Sequence, residues 1–224
     1  MSPIFSLDGR RVLVIDASHG VGPAVADTVE AAGAAVLRRD LDGSEPDAWL
    51  DGIEEAEGPI DTLILAAPPV SNKPVLEMTA AEMRAIAEAE MVGPALVMQE
   101  AARRMAARGF GRIVVFASMS AKTGLHHHVA PHAAAKAGLL AFMRVLAAEI
   151  AGSGVTANGI ATALFEPQTA RMSEEKRSRL LREVPVGRFG RSVEAAHAVL
   201  FLLAPDAGYI TGETLNMSGG RFMD

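Results

Sequence analysis

The chain has 224 residues, half of them hydrophobic, which suits one domain with one sizeable core. A net charge of -6 argues against nucleic acid or an anionic membrane as the main partner, and the absence of cysteine removes disulfides and thiolate metal sites. One tyrosine and one tryptophan beside abundant Ala, Gly, Val and Leu suit helices packed closely on a parallel sheet more than a β-sandwich.

The first residues, Met1 to Asp8, show no basic segment followed by a long apolar run, and no apolar span of about 18 residues occurs elsewhere. A soluble, cytoplasmic protein is expected. Arg11-Val12-Leu13-Val14-Ile15 is a short β-branched run that reads as a buried strand. Asp16-Ala17-Ser18-His19-Gly20-Val21-Gly22 follows, then an Ala/Val-rich helix to about Ala32 that Gly33 can end. Strand, glycine turn and helix make the first half of a dinucleotide-binding unit, where backbone N–H groups and the helix N-terminus meet a pyrophosphate. Ser18, Gly20 and Gly22 are the candidate phosphate contacts. Ala17 reads as the residue standing where a first glycine would allow a tight turn, and Asp16 puts a negative charge near the phosphate position.

Ala34 to Leu37 is the second strand, ending in Arg38-Arg39-Asp40. An acidic residue there can hold a ribose 2′-OH, whereas arginine favours a 2′-phosphate, so Asp40 and Arg39 point to opposite nucleotides. Asp47 to Glu57 gives a short helix, and Asp61 to Ala67 the next strand, closed by Pro68-Pro69. Helical periodicity runs over 79–90 and 94–107, with Gly93 between. Strands follow at 112–116, 155–160 and 213–217, and helices at 132–150, 173–183 and 192–203. The weakly periodic stretch 162–190 suits a substrate lid. The alternation predicts a single Rossmann-like, doubly wound parallel sheet in three α/β/α layers over 1–224, with ligands at the strands' carboxyl ends.

Val184-Pro185-Val186-Gly187-Arg188-Phe189-Gly190, Tyr209 to Gly220, Gly111-Arg112-Ile113-Val114-Val115 and Ala134-Ala135-Lys136-Ala137-Gly138 resemble the short-chain dehydrogenase/reductase family. The resemblance covers nearly the whole chain. It implies hydride transfer between NAD or NADP and a carbonyl or alcohol, no metal, and assembly as a homodimer or homotetramer. In the family a tyrosine is the general acid/base, a lysine lowers its pKa and holds the nicotinamide ribose, a serine orients the carbonyl and an asparagine holds a water relay. By resemblance the lysine is Lys136, and the serine is Ser118, with Ser120 competing. The tyrosine position holds His132 and the asparagine position Glu90. Tyr209, the only tyrosine, lies in the C-terminal motif. The cofactor half departs as well: the threonine-glycine opening of the glycine loop is matched to Asp16-Ala17, the asparagine-asparagine-alanine-glycine stretch to Leu65-Ala66-Ala67-Pro68, and the later proline-glycine to Thr162-Ala163. Ala66 and Lys136 remain candidate cofactor contacts. About 20 residues separate the second strand from Asp61, so a strand–helix unit that borders the adenine in the family is expected to be missing, shortening the second/third-strand region.

His132 and Lys136 are spaced i and i+4 and so share a helix face. An imidazole titrates near neutrality and is a competent general acid or base, and Glu90 would orient it. His126-His127-His128 could ligate a metal but lacks a neighbouring carboxylate, so these residues are expected to line the substrate entrance. The small-residue surface of Ala133, Ala137, Leu140, Ala141 and Ala148 fits the core or a dimer seam. An apolar pocket around Pro68, Leu164 and Phe165 would take a small hydrophobic substrate. Three readings follow: an atypical NAD(P)-dependent oxidoreductase using His132, a cofactor-independent isomerase, lyase or cyclase working by proton transfer, and an inactive partner in a hetero-oligomer with a related subunit.

Overall fold

A computed structural model describes residues 5–68, 70, 72–124 and 126–223. Pro69 and residues 1–4, on which part of the N-terminal reading rests, lie outside them. The backbone runs β1 (Arg11–Ile15), α1 (Gly22–Ala31), β2 (Ala35–Arg39), α2 (Pro46–Glu57), β3 (Thr62–Leu65), α3 (Ala80–Ala87), a π-helical turn (Glu88–Val92), α4 (Gly93–Arg108) and β4 (Gly111–Ser118). It continues with α5 (Ser120–Thr123), α6 (Ala130–Ile150), β5 (Val155–Thr162), α7 (Glu166–Thr169), α8 (Glu174–Leu181), α9 (Ser192–Leu203) and β6 (Thr214–Met217).

All six strands are parallel, in the order β2-β1-β3-β4-β5-β6. Successive side chains of a strand point to opposite faces, and both faces here are apolar. Leu13, Ile15, Leu63, Leu65, Ile113 and Val115 meet Leu50 and Ile53 of α2, Met98 and Met105 of α4, and Leu139 and Met143 of α6. Their neighbours Val12, Val14, Ile64, Val114, Phe116 and Ile160 meet Val25 and Val29 of α1 and Ala196, Val199 and Leu202 of α9. The three layers are therefore written in the strand alternation.

Proline opens α1, α2, α4 and α6 within their first residues, where its missing N–H costs nothing. Gly109 ends α4 at φ +75°. Thr79 and Glu82 form a reciprocal capping box that starts α3. Gly93 does not break the chain between α3 and α4, because the π turn carries the helix through. Gly138 of α6 lets this turn approach closely, since a Cβ there would lie 2.5 Å from Met91 Sδ.

Among the described residues no strand lies beyond β2, which is the sheet's edge, consistent with the short connection to β3. Charge covers this edge: Arg38 pairs with Asp27 at 2.7 Å and Glu30 at 2.9 Å, and Arg39 with Glu57 at 3.8 Å. The segment 162–190 is pinned at both ends, because Phe165 bridges Gly190 and both Phe165 and Phe189 are buried. Of the small-residue surface of α6, Leu140 belongs to the core while Ala141 and Ala148 are exposed beside Phe142 and Val145. No helix among the described residues is long and apolar enough to cross a membrane.

Candidate active site

The site forms where β1, β2 and β4 end and where α6 begins. A π turn commonly re-aims a side chain at a functional position, and here it buries Glu90 to 4% exposure. His132, in the first turn of α6, is equally buried, and its Nδ1 makes a short hydrogen bond to Glu90 Oε2. That bond fixes the roles of the ring nitrogens: Nδ1 carries its proton toward the carboxylate, so Nε2 is the nitrogen left for exchange. Lys136, one turn further along, is 1% exposed, and no hydrogen bond holds its ammonium among the described residues. Burial pushes the Lys136 pKa down, opposed by the charges of Glu90 and Asp16.

Ser118 ends β4 half-buried, and Ser120, which opens α5, is buried. Ser120 donates to Ser118 Oγ from its own Oγ at 2.9 Å and from its backbone N–H at 3.2 Å. A hydroxyl accepts two bonds and donates one, so Ser118 keeps a free O–H to give. Ser118 is thus the more available of the two serines.

On the nucleotide side, Gly22 packs the first turn of α1 tightly on the preceding loop, since a Cβ there would lie 2.9 Å from the carbonyl oxygens of Asp16 and Ala17. Gly20 has φ +55° and open space where its Cβ would be. Asp16, at φ +57°, is the non-glycine residue in the left-handed conformation between strand and helix. The sequence frame is therefore corrected by one position: Asp16, and not Ala17, occupies the place that favours glycine, and Ala17 is an ordinary core residue. Ser18 bonds His19 Nδ1 at 2.8 Å at the surface. Ala66 is buried, with its N–H on the Ile15 carbonyl at 3.0 Å. Arg39 turns away, donating to the Arg38 carbonyl at 2.9 Å and pairing with Glu57. The charge of Asp40 contributes to raising the Asp16 pKa.

Sequence reasoning noted Asp16 only as a negative charge near the phosphate position and did not count it among the site residues. Burial raises its pKa most, then Asp40, with Glu90 adding and Lys136 and His19 opposing. The signal was present as an acid where strand meets glycine turn.

Of the loop histidines, His126 takes a bond from Arg221 at 3.3 Å and lies 3.4 Å from Thr123 Oγ1, while Arg221 also pairs with Glu183. Burial and Arg221 push the His126 pKa down. Among the described residues no group of His, Cys, Asp and Glu could hold a metal. A cavity of about 160 Å³ is lined by Leu164, Phe165, Val184 and Met217, with Arg188 and Glu194 at its polar end. Pro68, expected beside Leu164 and Phe165, does not line it.

Residues 4–221 match the family model described as enoyl-(acyl carrier protein) reductase. The 3-oxoacyl-(acyl-carrier-protein) reductase of Escherichia coli (strain K12) is 32% identical over 243 positions, covering 97% of this chain and 99% of the relative. The acetoacetyl-CoA reductase of Shinella zoogloeoides is 32% identical over 238 positions, covering 95% and 98%. Both alignments are longer than this chain, so each relative carries positions without a counterpart here. Among solved structures, a gluconate 5-dehydrogenase from Burkholderia cenocepacia J2315, in complex with NADP and tartrate, superposes with a TM-score of 0.91 at 27% identity over 97% of both chains. With this sheet, these helices and these relatives, the chain belongs to the short-chain dehydrogenase/reductase family.

Proposed function

We propose that the protein is an NAD(H)-dependent oxidoreductase that interconverts a carbonyl and an alcohol, with His132, oriented by Glu90, moving the proton. The buried Glu90–His132 hydrogen bond carries this reading. Family membership supplies the reaction class, and the dyad supplies the acid/base that the missing tyrosine would otherwise provide.

The residues present fit a dinucleotide in most respects. The open backbone at Gly20, the close turn at Gly22 and the N-terminus of α1 suit a pyrophosphate, and the buried Lys136 ammonium has donors to give a ribose. Ser18 and Ala66 border the same ends of β1 and β3. Asp40 favours a free ribose 2′-OH, whereas Arg39 is engaged by Glu57, so NADH is preferred to NADPH. When bound, the nicotinamide supplies or accepts the hydride.

The chain's own residues do the rest. Ser118, with its O–H free, donates to the substrate oxygen and orients it. In the oxidation direction His132 Nε2 takes the alcohol proton, and the Glu90 carboxylate stabilises the imidazolium that forms. In reduction the same imidazolium returns the proton to the oxygen. Lys136 holds positive charge beside both steps and steadies the developing oxyanion. The apolar cavity behind Leu164 and Phe165 suits a small hydrophobic carbonyl compound, and short 3-oxoacyl thioesters, the class named for the two reductases, are the first to try. The exposed Phe142 and Val145 on α6 supply a self-association face for a homodimer or homotetramer.

The test is NADH and NADPH binding by calorimetry, followed by nucleotide oxidation with acetoacetyl-CoA. Binding of NADH with turnover that disappears in His132→Ala is the expected result. Failure of both nucleotides to bind at millimolar concentration removes the oxidoreductase reading.

A further inference from the structure

Asp16 is the one acidic side chain placed in the turn where the family's nucleotide anion would lie. Its backbone is held open at φ +57°, with its N–H on the Arg39 carbonyl at 3.1 Å. A non-glycine residue in this conformation costs folding energy, and such strain persists where something else requires the side chain. Gly22 packs closely against this backbone, since a Cβ there would lie 2.9 Å from the Asp16 carbonyl oxygen. No hydrogen bond satisfies that carboxyl among the described residues. Four charged or titratable groups act on it, each from a different segment: His19 in the turn, Asp40 after β2, Glu90 in the π turn and Lys136 on α6. Two of these are carboxylates, and Lys136 is shared with Glu90.

We propose that Asp16 gates the dinucleotide site: nucleotide binds with the Asp16 carboxyl protonated, so that binding takes up one proton and weakens as the pH rises. The inference rests on the reading of the glycine turn as a nucleotide site. The sign follows from charge. Burial and the neighbouring carboxylates already hold the Asp16 pKa above 3.8, and a phosphate anion brought beside it disfavours the carboxylate further. Between the free-chain and bound-chain values the complex holds a proton that the free protein lacks, and affinity falls up to about tenfold per pH unit. Below the free-chain value the affinity is level.

The experiment is calorimetric titration of NADH into the natural chain and Asp16→Asn, from about pH 5 to about pH 9, in two buffers of different ionisation enthalpy. Asparagine adopts the left-handed conformation readily, so the fold is retained, and Asp16→Gly serves as a second neutral variant. The expected result is uptake of a proton and loss of about tenfold or more in affinity with rising pH for the natural chain. Both variants bind without that slope, and at the upper end they bind about tenfold or more tighter than the natural chain. Variants that keep the natural affinity and slope overturn the gate while leaving the nucleotide site intact. No binding by any of the three proteins at any pH overturns both the gate and the oxidoreductase reading.

Discussion

Glu90→Gln isolates the charge of the dyad from its shape. Glutamine has the same length and can still accept from His132 Nδ1, so the ring stays in place while the carboxylate is lost. In alcohol oxidation the proton arrives at Nε2 and the ring becomes positive next to a site that is 4% exposed on both sides. A carboxylate about 4 Å from that charge is worth about 4 kcal/mol at an effective dielectric of about 20. The neutral amide bond that remains is worth about 1 kcal/mol. The difference, about 3 kcal/mol, corresponds to about a hundredfold fall in kcat, with KM nearly unchanged because the charge exists only in the transition state. The assay is nucleotide reduction with a 3-hydroxyacyl thioester, beside a thermal melt to show that the variant is folded. His132→Ala and the double variant complete a cycle, and the double should be no slower than His132→Ala alone. Turnover of Glu90→Gln within about twofold of the natural chain, when the electrostatic argument requires about two decades, would refute the dyad.

Lys136→Met should abolish nucleotide binding yet raise the melting temperature, because it removes a buried ammonium without a hydrogen bond. Burial lowers the Lys136 pKa below the ordinary 10.5, so between that lowered value and 10.5 the unfolded chain holds a proton that the native chain has shed. Stability at this position therefore rises as the pH climbs toward 10.5, and denaturant titrations of the variant should lack that slope. Gly22→Ala pushes a Cβ to within 2.9 Å of two carbonyl oxygens, and should cost about 1–3 kcal/mol in chemical denaturation together with NADH binding. His132→Tyr alone should lose activity, because Glu90 is left buried against a phenol, whereas His132→Tyr with Glu90→Asn should regain NADH-linked turnover.

The sheet was legible because its central strands β1, β3, β4 and β5 are buried on both faces, so runs such as Val12 to Ile15 leave little choice of element. Its missing outer unit was legible from the short connection between Arg39 and Thr62. Glu90 and His132 could be placed by resemblance, but their bond spans 42 residues and depends on a π turn that no periodicity announces. The glycine turn was read one residue out of frame, because spacing alone does not say which residue takes a positive φ; the backbone gives that place to Asp16. Pro68 was assigned to a cavity formed instead by the segment around Val184 and by Met217, contacts between parts of the chain far apart in sequence.

The departures from the family pattern belong together. Measured against that pattern, a tyrosine, an asparagine and a glycine have given way to His132, Glu90 and Asp16, adding one titratable base and two carboxyl groups around one buried ammonium. Lys136 feels both carboxyls, and their charges oppose the burial that would strip its proton. Glu90 alone would serve His132 and Lys136 together, and its charge would be divided between them. Asp16 supplies the second negative charge from the opposite side, at the expense of a strained backbone and of repulsion toward any phosphate. Glu90 bonds the imidazole directly, while both carboxyls act on the Lys136 ammonium through charge. On the reading proposed above, this is a proton-transfer centre built around Lys136, in which cofactor entry and acid/base state depend on the same few charges.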